Sequence, residues 1–393
     1  MKWLVSPLND IAPAQASNMR FSPDDMVWHL TLDQIEGHTG NIVNKKIAPA
    51  SEAGASTYVF DEGNVLYSKL RPYLNKVISP SEPGIATTEL VPLLPRADVL
   101  DRQYLTYYLR SNHFLGFANV AVAGVKMPRI IMAKFWKQQM PLPPLSEQRR
   151  IVEILEQADA LRKKRADADT KASRILPALF YKMFGDPITN PNGLVKKKLG
   201  ELIKVRSGNF LPAKNMESEG RHPVYGGNGI NGYHSEFMFE QPVIVLGRVG
   251  AYCGAVLYSQ PRCWVTDNAL YVAERSEELH PRYLAEALRV ANLNQYAGRA
   301  GQPLISGSRI YPVEILVPDT EDQEKFEFSV EELHQYENRR KNAGNQIERL
   351  FSVLLHRAFT GDLTTRWRES HMKELLLEMK DQAKSLEAAA ASA

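Results

Sequence analysis

Two stretches of the chain hold apolar residues at helical spacing for much longer than the rest. In residues 146–184, Ile151, Ala158, Arg165, Ala172 and Leu179 fall seven apart, and Ile154, Leu161, Ala168 and Ile175 stand three residues after the first four. In 320–359 the same frame gives Phe326, Leu333, Arg340, Ile347 and Leu354, completed by Tyr336, Ala343 and Leu350. A seven-residue apolar repeat predicts a coiled-coil seam, so two long helices are expected to pair. Ser146, followed by Glu147 and Gln148, reads as a hydroxyl N-cap with an acidic first turn. Pro177 should kink or end the first helix early. About 39 helical residues make a rod of about 58 Å, the length of about 17 base pairs of duplex.

The remaining segments, 1–144 and 194–318, are rich in Gly, Pro, Tyr, Val and Ile, with short apolar runs between turn signals. They predict mainly-β globules with a few helices. The chain also resembles itself at an offset of about 175 to 180 residues. Tyr104-Leu105 with Leu109-Arg110 recurs as Tyr283-Leu284 with Leu288-Arg289, and Val65-Leu66-Tyr67 with Arg71 recurs as Val243–Leu246 with Arg248. Arg129-Ile130 matches Arg309-Ile310, Pro143 with Glu147-Gln148 matches Pro318 with Asp322-Gln323, and Phe184-Gly185-Asp186 matches Thr360-Gly361-Asp362. So long a period means domain duplication, since solenoid repeats run about 20 to 50 residues.

The order globule, helix, globule, helix predicts an α+β architecture. If the helices pair antiparallel, the first carries the second globule to the far end and the second returns, giving a dumbbell with pseudo-two-fold symmetry. The two frames place Arg165 and Arg340 at equivalent central seam positions. Two readings stand. They are surface residues seen through a shifted frame, or a polar pair that fixes the register of the helix pair, compensated by a neighbour such as Asp169 or Glu337.

Composition narrows the class without deciding it. The chain of 393 residues is 44% hydrophobic and 24% charged, ordinary globular values, with a net charge of +3 and pI near 8.6. A nucleic-acid binder of this balance must gather its Lys and Arg on one face. The absence of a membrane-length apolar run or a leader-like start predicts a cytoplasmic protein with no membrane partner. Cys253 and Cys263 read as two reduced core thiols, and no His or Cys spacing predicts a metal site.

Several stretches resemble one family. The run Ser68–Lys76, the linker Pro141-Leu142-Pro143-Pro144-Leu145-Ser146-Glu147-Gln148 leading into Ile151, and the glycine-aspartate helix ends are similar to those of type I restriction-modification specificity subunits. So are Gly247-Arg248-Val249-Gly250 and Cys263–Ala269. The resemblance runs from about Trp3 to Arg368, and the second linker departs from the pattern at Asp319, where the first has Pro144. It implies two tandem target-recognition domains, 1–144 and 194–318, with spacer helices in 145–186 and 319–369. Each domain would read one half of a bipartite double-stranded DNA site. Two modification (methyltransferase) subunits and restriction (translocase/nuclease) subunits are the implied partners. S-adenosylmethionine, ATP and Mg belong to those partners, and this chain is expected to be non-catalytic with no cofactor of its own. The resemblance also marks Pro143, Glu147, Gln148 and Gln323 as partner-docking candidates.

For DNA the candidates in the first globule are Lys69, Arg71 and Lys76, which alternate with Tyr67 and Tyr73, followed by Lys126 and Arg129. In the second they are Arg206, Asn228, Asn231, His234, Arg248, Arg299 and Arg309. Arg suits guanine or phosphate, and Asn pairs bidentately with adenine. The plain alternative for the basic residues is a solvated strand edge, and for Gly227–Gly232 a glycine turn. That segment matches the dinucleotide fingerprint only formally, because no helix should follow it. No Walker loop or Asn-Pro-Pro-Tyr motif occurs. A coiled-coil protein adaptor is the rival reading, and an enzyme acting alone on DNA a further one. Residues 370–393 stand outside the functional reading, their alanine-rich end open to being an appended, non-native tail.

Overall fold

The computed structural model describes residues 2–298 and 302–392. The chain divides into two compact units, Met1–Lys164 with Gly344–Ala393, and Arg165–Ala343. The division passes through both long helices. Each unit therefore holds one globule, the beginning of the long helix that follows it, and the end of the other.

The two globules mix helix and strand in one shared plan. Leu4–Pro7 pairs antiparallel with Gln139–Leu142 in the first unit, as Val195–Lys198 does with Glu314–Val317 in the second. Met26–Leu30 lies between antiparallel Lys46–Pro49 and parallel Gly84–Thr87, and His222–Gly226 lies likewise between Gly229–His234 and Trp264–Val265. A second sheet centres on Val65–Ser68, flanked by Val77–Ile78 and Leu90–Leu93. Its counterpart Ile244–Gly247 is flanked by Val256–Tyr258 and Ala269–Arg275. Both central strands are buried along their whole length, which is why they read as unbroken apolar runs.

At the start of each long helix a glutamine is fully buried. Gln148 Oε1 accepts the Asp101 N–H (2.8 Å), and its Nε2 donates to the carbonyls of Val99 (2.9 Å) and Pro143 (2.8 Å). Gln323 does the same with the His280 N–H (2.8 Å) and the carbonyls of Glu278 (2.9 Å) and Pro318 (2.8 Å). One amide side chain thus satisfies main-chain groups on two loops that no strand partner reaches. The helix start survives the departure at Asp319, because the Gln323 N–H reaches the Asp319 carbonyl at 3.2 Å as that of Gln148 reaches Pro144 at 2.9 Å. Tyr104 and Tyr283 close the arrangement, donating to the carbonyls of Pro141 (3.1 Å) and Leu316 (2.8 Å). Their rings pack on Phe359 and Phe184, with centroids 5.3 and 4.9 Å away.

The first long helix runs Leu145–Ala172 and resumes as Ile175–Phe184. Pro177 explains the break, since its ring would strike the carbonyl of Ser173 four residues earlier. The second is continuous over Thr320–Thr360. Gly185 (φ 80°) and Gly361 (φ 87°) end the two in left-handed geometry that favours glycine. Ser146 is not an N-cap. It lies inside the first turn, where its N–H (3.1 Å) and hydroxyl (2.9 Å) both donate to Glu378 Oε2.

Only half of the expected apolar frame is sheltered from solvent. Ile151, Ala158, Arg165, Ala172 and Leu179 turn inward, as do Phe326, Leu333, Arg340, Ile347 and Leu354. The residues that complete the heptad come four positions later instead of three: Leu155, Arg162, Asp169 and Leu176 on the first helix, and Val330, Gly344, Phe351 and Ala358 on the second, where Glu337 alone of the row faces solvent. Leu161, Ile175, Tyr336 and Leu350 are exposed. Charge hides the true row, because Arg162 and Asp169 interrupt it. The Arg162 guanidinium lies 4.2 Å from the Phe351 ring and pairs with Glu348 (2.9 Å) and Asp159 (3.1 Å). Asp169 Oδ1 accepts from Arg340 Nε at 2.9 Å and from Arg165, which also donates to the Arg340 carbonyl.

The C-terminal segment is an integral part of the first unit and not a loose tail. Its helix, Met372–Ser392, buries Leu375 and Gln382.

Replacing Gln323 strands three buried main-chain groups at about 1 to 3 kcal/mol each before relaxation, whereas replacing Gln148 strands chiefly the Asp101 N–H, because Gln382 Nε2 also donates to the Val99 and Pro143 carbonyls. Gln323→Ala should lower stability by about 2 to 4 kcal/mol, and Gln148→Ala by less, about 1 to 3 kcal/mol, in denaturant unfolding. Hydrogen exchange should place the loss in the unit that carries the substitution. Unchanged midpoints for both variants would remove the pins from this account.

Candidate nucleic-acid interface

The basic residues of the first globule gather where the buried strand Val65–Ser68 emerges. Its continuation is held by the hairpin Val122–Ala123/Arg129–Ile130. Leu70 bridges Arg129, the Ile130 N–H reaches the Lys69 carbonyl at 2.9 Å, and the Arg71 N–H reaches that of Pro128 at 2.7 Å. A 3-10 turn, Pro72–Leu74, follows between two left-handed residues, Arg71 (φ 48°) and Asn75 (φ 47°).

The second globule builds the same turn. Val249 bridges Leu304, the Ile305 N–H reaches the Arg248 carbonyl at 2.9 Å, and the Gly250 N–H reaches that of Pro303 at 3.0 Å. The turn Gly250–Tyr252 is bounded by Gly250 (φ 76°) and Gly254 (φ 86°). A Cβ on Gly254 would stand 2.3 Å from the Asn294 nitrogen, so only glycine fits there. These bonds make Lys69 equivalent to Arg248 and Arg71 to Gly250. They also correct the repeat: the counterpart of Arg129-Ile130 is Leu304-Ile305, and Arg309 belongs with the short helix Gly307–Ile310.

Arg71 occupies a left-handed position where the other copy has glycine, a conformation costing a non-glycine residue about 1 kcal/mol or more. Each turn also lifts a tyrosine into solvent, Tyr73 at 48% exposure and Tyr252 at 58%. Tyr252 escaped the sequence reading, although the offset of 179 that relates Tyr104 to Tyr283 relates Tyr73 to it.

The charges are not equally free. Lys126 lies in the exposed hairpin loop beside Val125 and Met127. Arg129 is clamped by Glu89, with Nη2 at 2.8 Å and Nε at 3.2 Å from the carboxylate, and the Arg129 guanidinium holds the Glu89 carboxyl below its usual range. Lys69 adds to that field. Lys76 turns inward, its Nζ donating to the Leu32 carbonyl at 2.6 Å, so it is a fold residue and not a free cation.

In the second unit Arg248 is half-buried, with Nη1 against Ser207 Oγ (3.1 Å) and the Asp267 carbonyl (3.3 Å). Gly227 and Asn228 form the tight turn between strands His222–Gly226 and Gly229–His234, and Gly227 sits directly against Gly247 and Arg248. The glycines serve a hairpin and open no helix. Asn228 and Asn231 are exposed. His234 meets the Trp264 ring edge-on at 5.4 Å, and its Nδ1 is buried without a partner among the described residues. Arg206 shares Glu274 with Lys204, at 3.3 Å. Arg309 is exposed and approaches Gly298; Arg299 lies outside the described residues.

The linker residues need correction as docking candidates. Pro143, Glu147, Gln148 and Gln323 are all buried. Beyond the glutamine pins, Glu147 is enclosed by Arg368 Nε (2.7 Å), Thr364 Oγ1 (2.6 Å) and Trp3 Nε1 (2.9 Å). Their polar groups are consumed inside a unit, so these four side chains themselves are not offered to a partner. Both cysteines are buried and free, and burial pushes their thiols up. Among the described residues no cluster of His, Cys, Asp or Glu could hold a metal, and no helix is long and apolar enough to cross a membrane.

Two substitutions should move polyanion binding in opposite directions. Arg71→Gly removes a charge and relaxes the backbone, so stability should hold or rise by up to about 1 kcal/mol while duplex affinity falls. Glu89→Gln releases Arg129, so affinity should rise and the log–log salt slope should steepen by about one. Fluorescence anisotropy over a salt series reads both. No change in Glu89→Gln would mean that Arg129 does not reach phosphate.

A family profile described as "Type I restriction modification DNA specificity domain" matches residues 2–168 and 191–349, one copy for each globule. The specificity subunit of the Escherichia coli type I restriction enzyme EcoprrI is 32% identical over 132 residues, 33% of either chain. That of EcoKI, from Escherichia coli strain K12, is 24% identical over 308 residues, 67% of this chain and 66% of the relative. The EcoprrI match spans only a third of that relative's length, and the EcoKI match just under two thirds. Among solved structures, one from work on complex assembly and conformational transition of the type I R-M system superposes with a TM-score of 0.59 at 19% identity, covering 92% of this chain and 98% of that one. The type I restriction-modification S subunit from M. genitalium gives 0.57 at 15% identity, covering 91% and 96%. These two show a shared fold, and with both globules matched by the family profile, the chain belongs to the type I restriction-modification DNA specificity family.

Proposed function

We propose that this chain is the DNA-reading subunit of a type I restriction-modification enzyme, each globule recognising one half of a bipartite target. The observation that carries this reading is the turn built twice from different residues. Equivalent positions carry Lys69 and Arg248, and Tyr73 and Tyr252 stand beside them in solvent. A cation with an adjacent exposed aromatic suits phosphate contact together with packing on sugar or base. Specificity then comes from what surrounds the turn. The first globule joins Met26–Leu30 to Lys46–Pro49 through residues 31–45, whereas the second joins the corresponding strands through Gly227 and Asn228 alone. Different loops on one frame are what two different half-sites require.

The long helices serve as the spacer, paired antiparallel with approximate two-fold symmetry, and they dock two modification subunits. Arg162 meets Glu348 in one unit, and in the other Arg165 meets Arg340 while Phe180 meets Phe326, contacts that descend one helix as they climb its partner. Arg165, Arg340 and Asp169 fix the register, because a shift of either helix would leave a partly buried charge unpaired. The recognition domains span 1–144 and 194–318, with spacer segments 145–186 and 319–369. Methyl transfer from S-adenosylmethionine and ATP- and Mg-dependent cleavage reside in the partner subunits, and the assembly works in the cytoplasm.

Single-molecule sequencing of methylated adenine tests this in cells carrying the chain with its modification partner against cells carrying the partner alone. The reading predicts a new methylated motif of two specific blocks around an unspecified gap. A continuous motif contradicts the two-reader geometry, and no new motif despite a verified complex contradicts DNA reading itself.

A further inference from the structure

We propose that the C-terminal helix Met372–Ser392 is a displaceable cover over the start of the first long helix, so that the two modification subunits dock in unequal steps. The inference rests on the docking role given to the helices above. What is new is the occupant of one docking face, a segment of this chain.

The helix is seated by two leucines, Leu375 buried and Leu386 packed on the core of the first unit, and by a small set of polar contacts. Glu378 Oε2 accepts the Ser146 N–H (3.1 Å) and hydroxyl (2.9 Å), which caps the first turn of the long helix from outside. Gln382 Nε2 donates to the carbonyls of Val99 (2.7 Å) and Pro143 (3.3 Å), the two that Gln148 already occupies from within. Arg96 Nη2 donates to the Ser385 carbonyl at 3.2 Å, and Leu375 is buried beneath. The helix therefore lies over the linker and adds bonds to carbonyls that are satisfied without it.

The seat is imperfect in three ways. Gln382 Oε1 and Arg96 Nη1 are buried with no partner among the described residues, so both keep a desolvation cost. A cleft of about 300 Å³, open to solvent, runs beside the helix and is lined by Asp98, Leu145, Arg149, Glu378, Asp381 and Ser385. Three of those side chains are carboxylates around one space. A contact with surplus bonds, stranded polar atoms and a solvent-open cleft along its edge is poised to open. In the second unit, Glu278 and Pro318 present the corresponding carbonyls to Gln323, and Glu321, in the place of Ser146, is 79% exposed. That linker is ready for a partner, whereas the first must shed its cover.

The test titrates the full chain with purified modification subunit, reads the two stepwise constants by mass photometry, and follows the C-terminal helix by hydrogen exchange. The wild-type chain should bind the second subunit about tenfold more weakly than the first, a gap the size of one or two net hydrogen bonds. Gln382→Glu sets a carboxylate against two carbonyl oxygens and should close the gap without weakening the first step. Glu378→Gln, which loosens only the outer cap, should move the second step in the same direction. In the full assembly the amides of 372–388 should lose protection. Equal steps in the wild-type chain, or full protection of the helix in the assembly, would overturn the inference and leave the docking reading intact. No binding by any of the proteins would overturn the docking reading and this inference with it.

Discussion

A buried glutamine must satisfy both ends of its amide, and in this chain that requirement is met twice at the points where a globule becomes a long helix. Gln148 ties Asp101, Val99 and Pro143 together, and Gln323 ties His280, Glu278 and Pro318. These bonds fix the loop before the packed helix to the linker after the last strand. The exit direction of each long helix is thereby coupled to its own sheets. Tyr104 and Tyr283 seal the joint, and the aromatic that covers each comes from the other long helix, Phe359 for the first and Phe184 for the second. The first globule completes its core with Phe351, Leu355 and Ala358 from far along the chain, and the second with Phe180 and Phe184 from the helix before it, so cutting the chain between the two repeats would expose buried aromatics.

On that fixed frame the variable parts are confined to loops. The turn after the central buried strand keeps its hydrogen bonds and its left-handed ends in both copies, while its residues change from Arg71 and Asn75 to Gly250 and Gly254. Where the second copy takes the unstrained residue, the first keeps a cation at conformational cost. That retained strain is what makes Arg71 the position of the turn to test first. The hairpin beside the turn differs more, a long connection in one copy and Gly227-Asn228 in the other.

The architecture was legible where apolar spacing and repetition ran long. The duplication, the two long helices and the interruption at Pro177 all follow from patterns extending over tens of residues. Local inferences fared less well because each rested on one competing preference. Ser146 looked like an N-cap by residue type, yet Glu378, more than two hundred residues away, takes both its donors. The second row of the seam was hidden because it contains Arg162 and Asp169, whose stems and pairings admit them to a half-buried stripe that an apolar count skips. Arg129 matches Arg309 by identity, but its main-chain bridge to Leu70 corresponds to that of Leu304 to Val249, so Leu304 is its counterpart. The linker's Glu147 and Gln148 drew notice as a surface motif although they are interior, since sequence does not distinguish a polar residue kept for contact from one kept for a buried bond. Tyr252 was visible only once the turn geometry fixed the local offset.

The central claim is that one frame carries two independent readers. Asn228→Ala with Asn231→Ala, both in the second globule, tests it most directly when the methylated motif is sequenced genome-wide in cells expressing the altered chain with its modification partner. The account predicts that one block of the motif loses or changes specificity while the other block and the gap between them stay as they were. A change in both blocks, or in the gap, would contradict it.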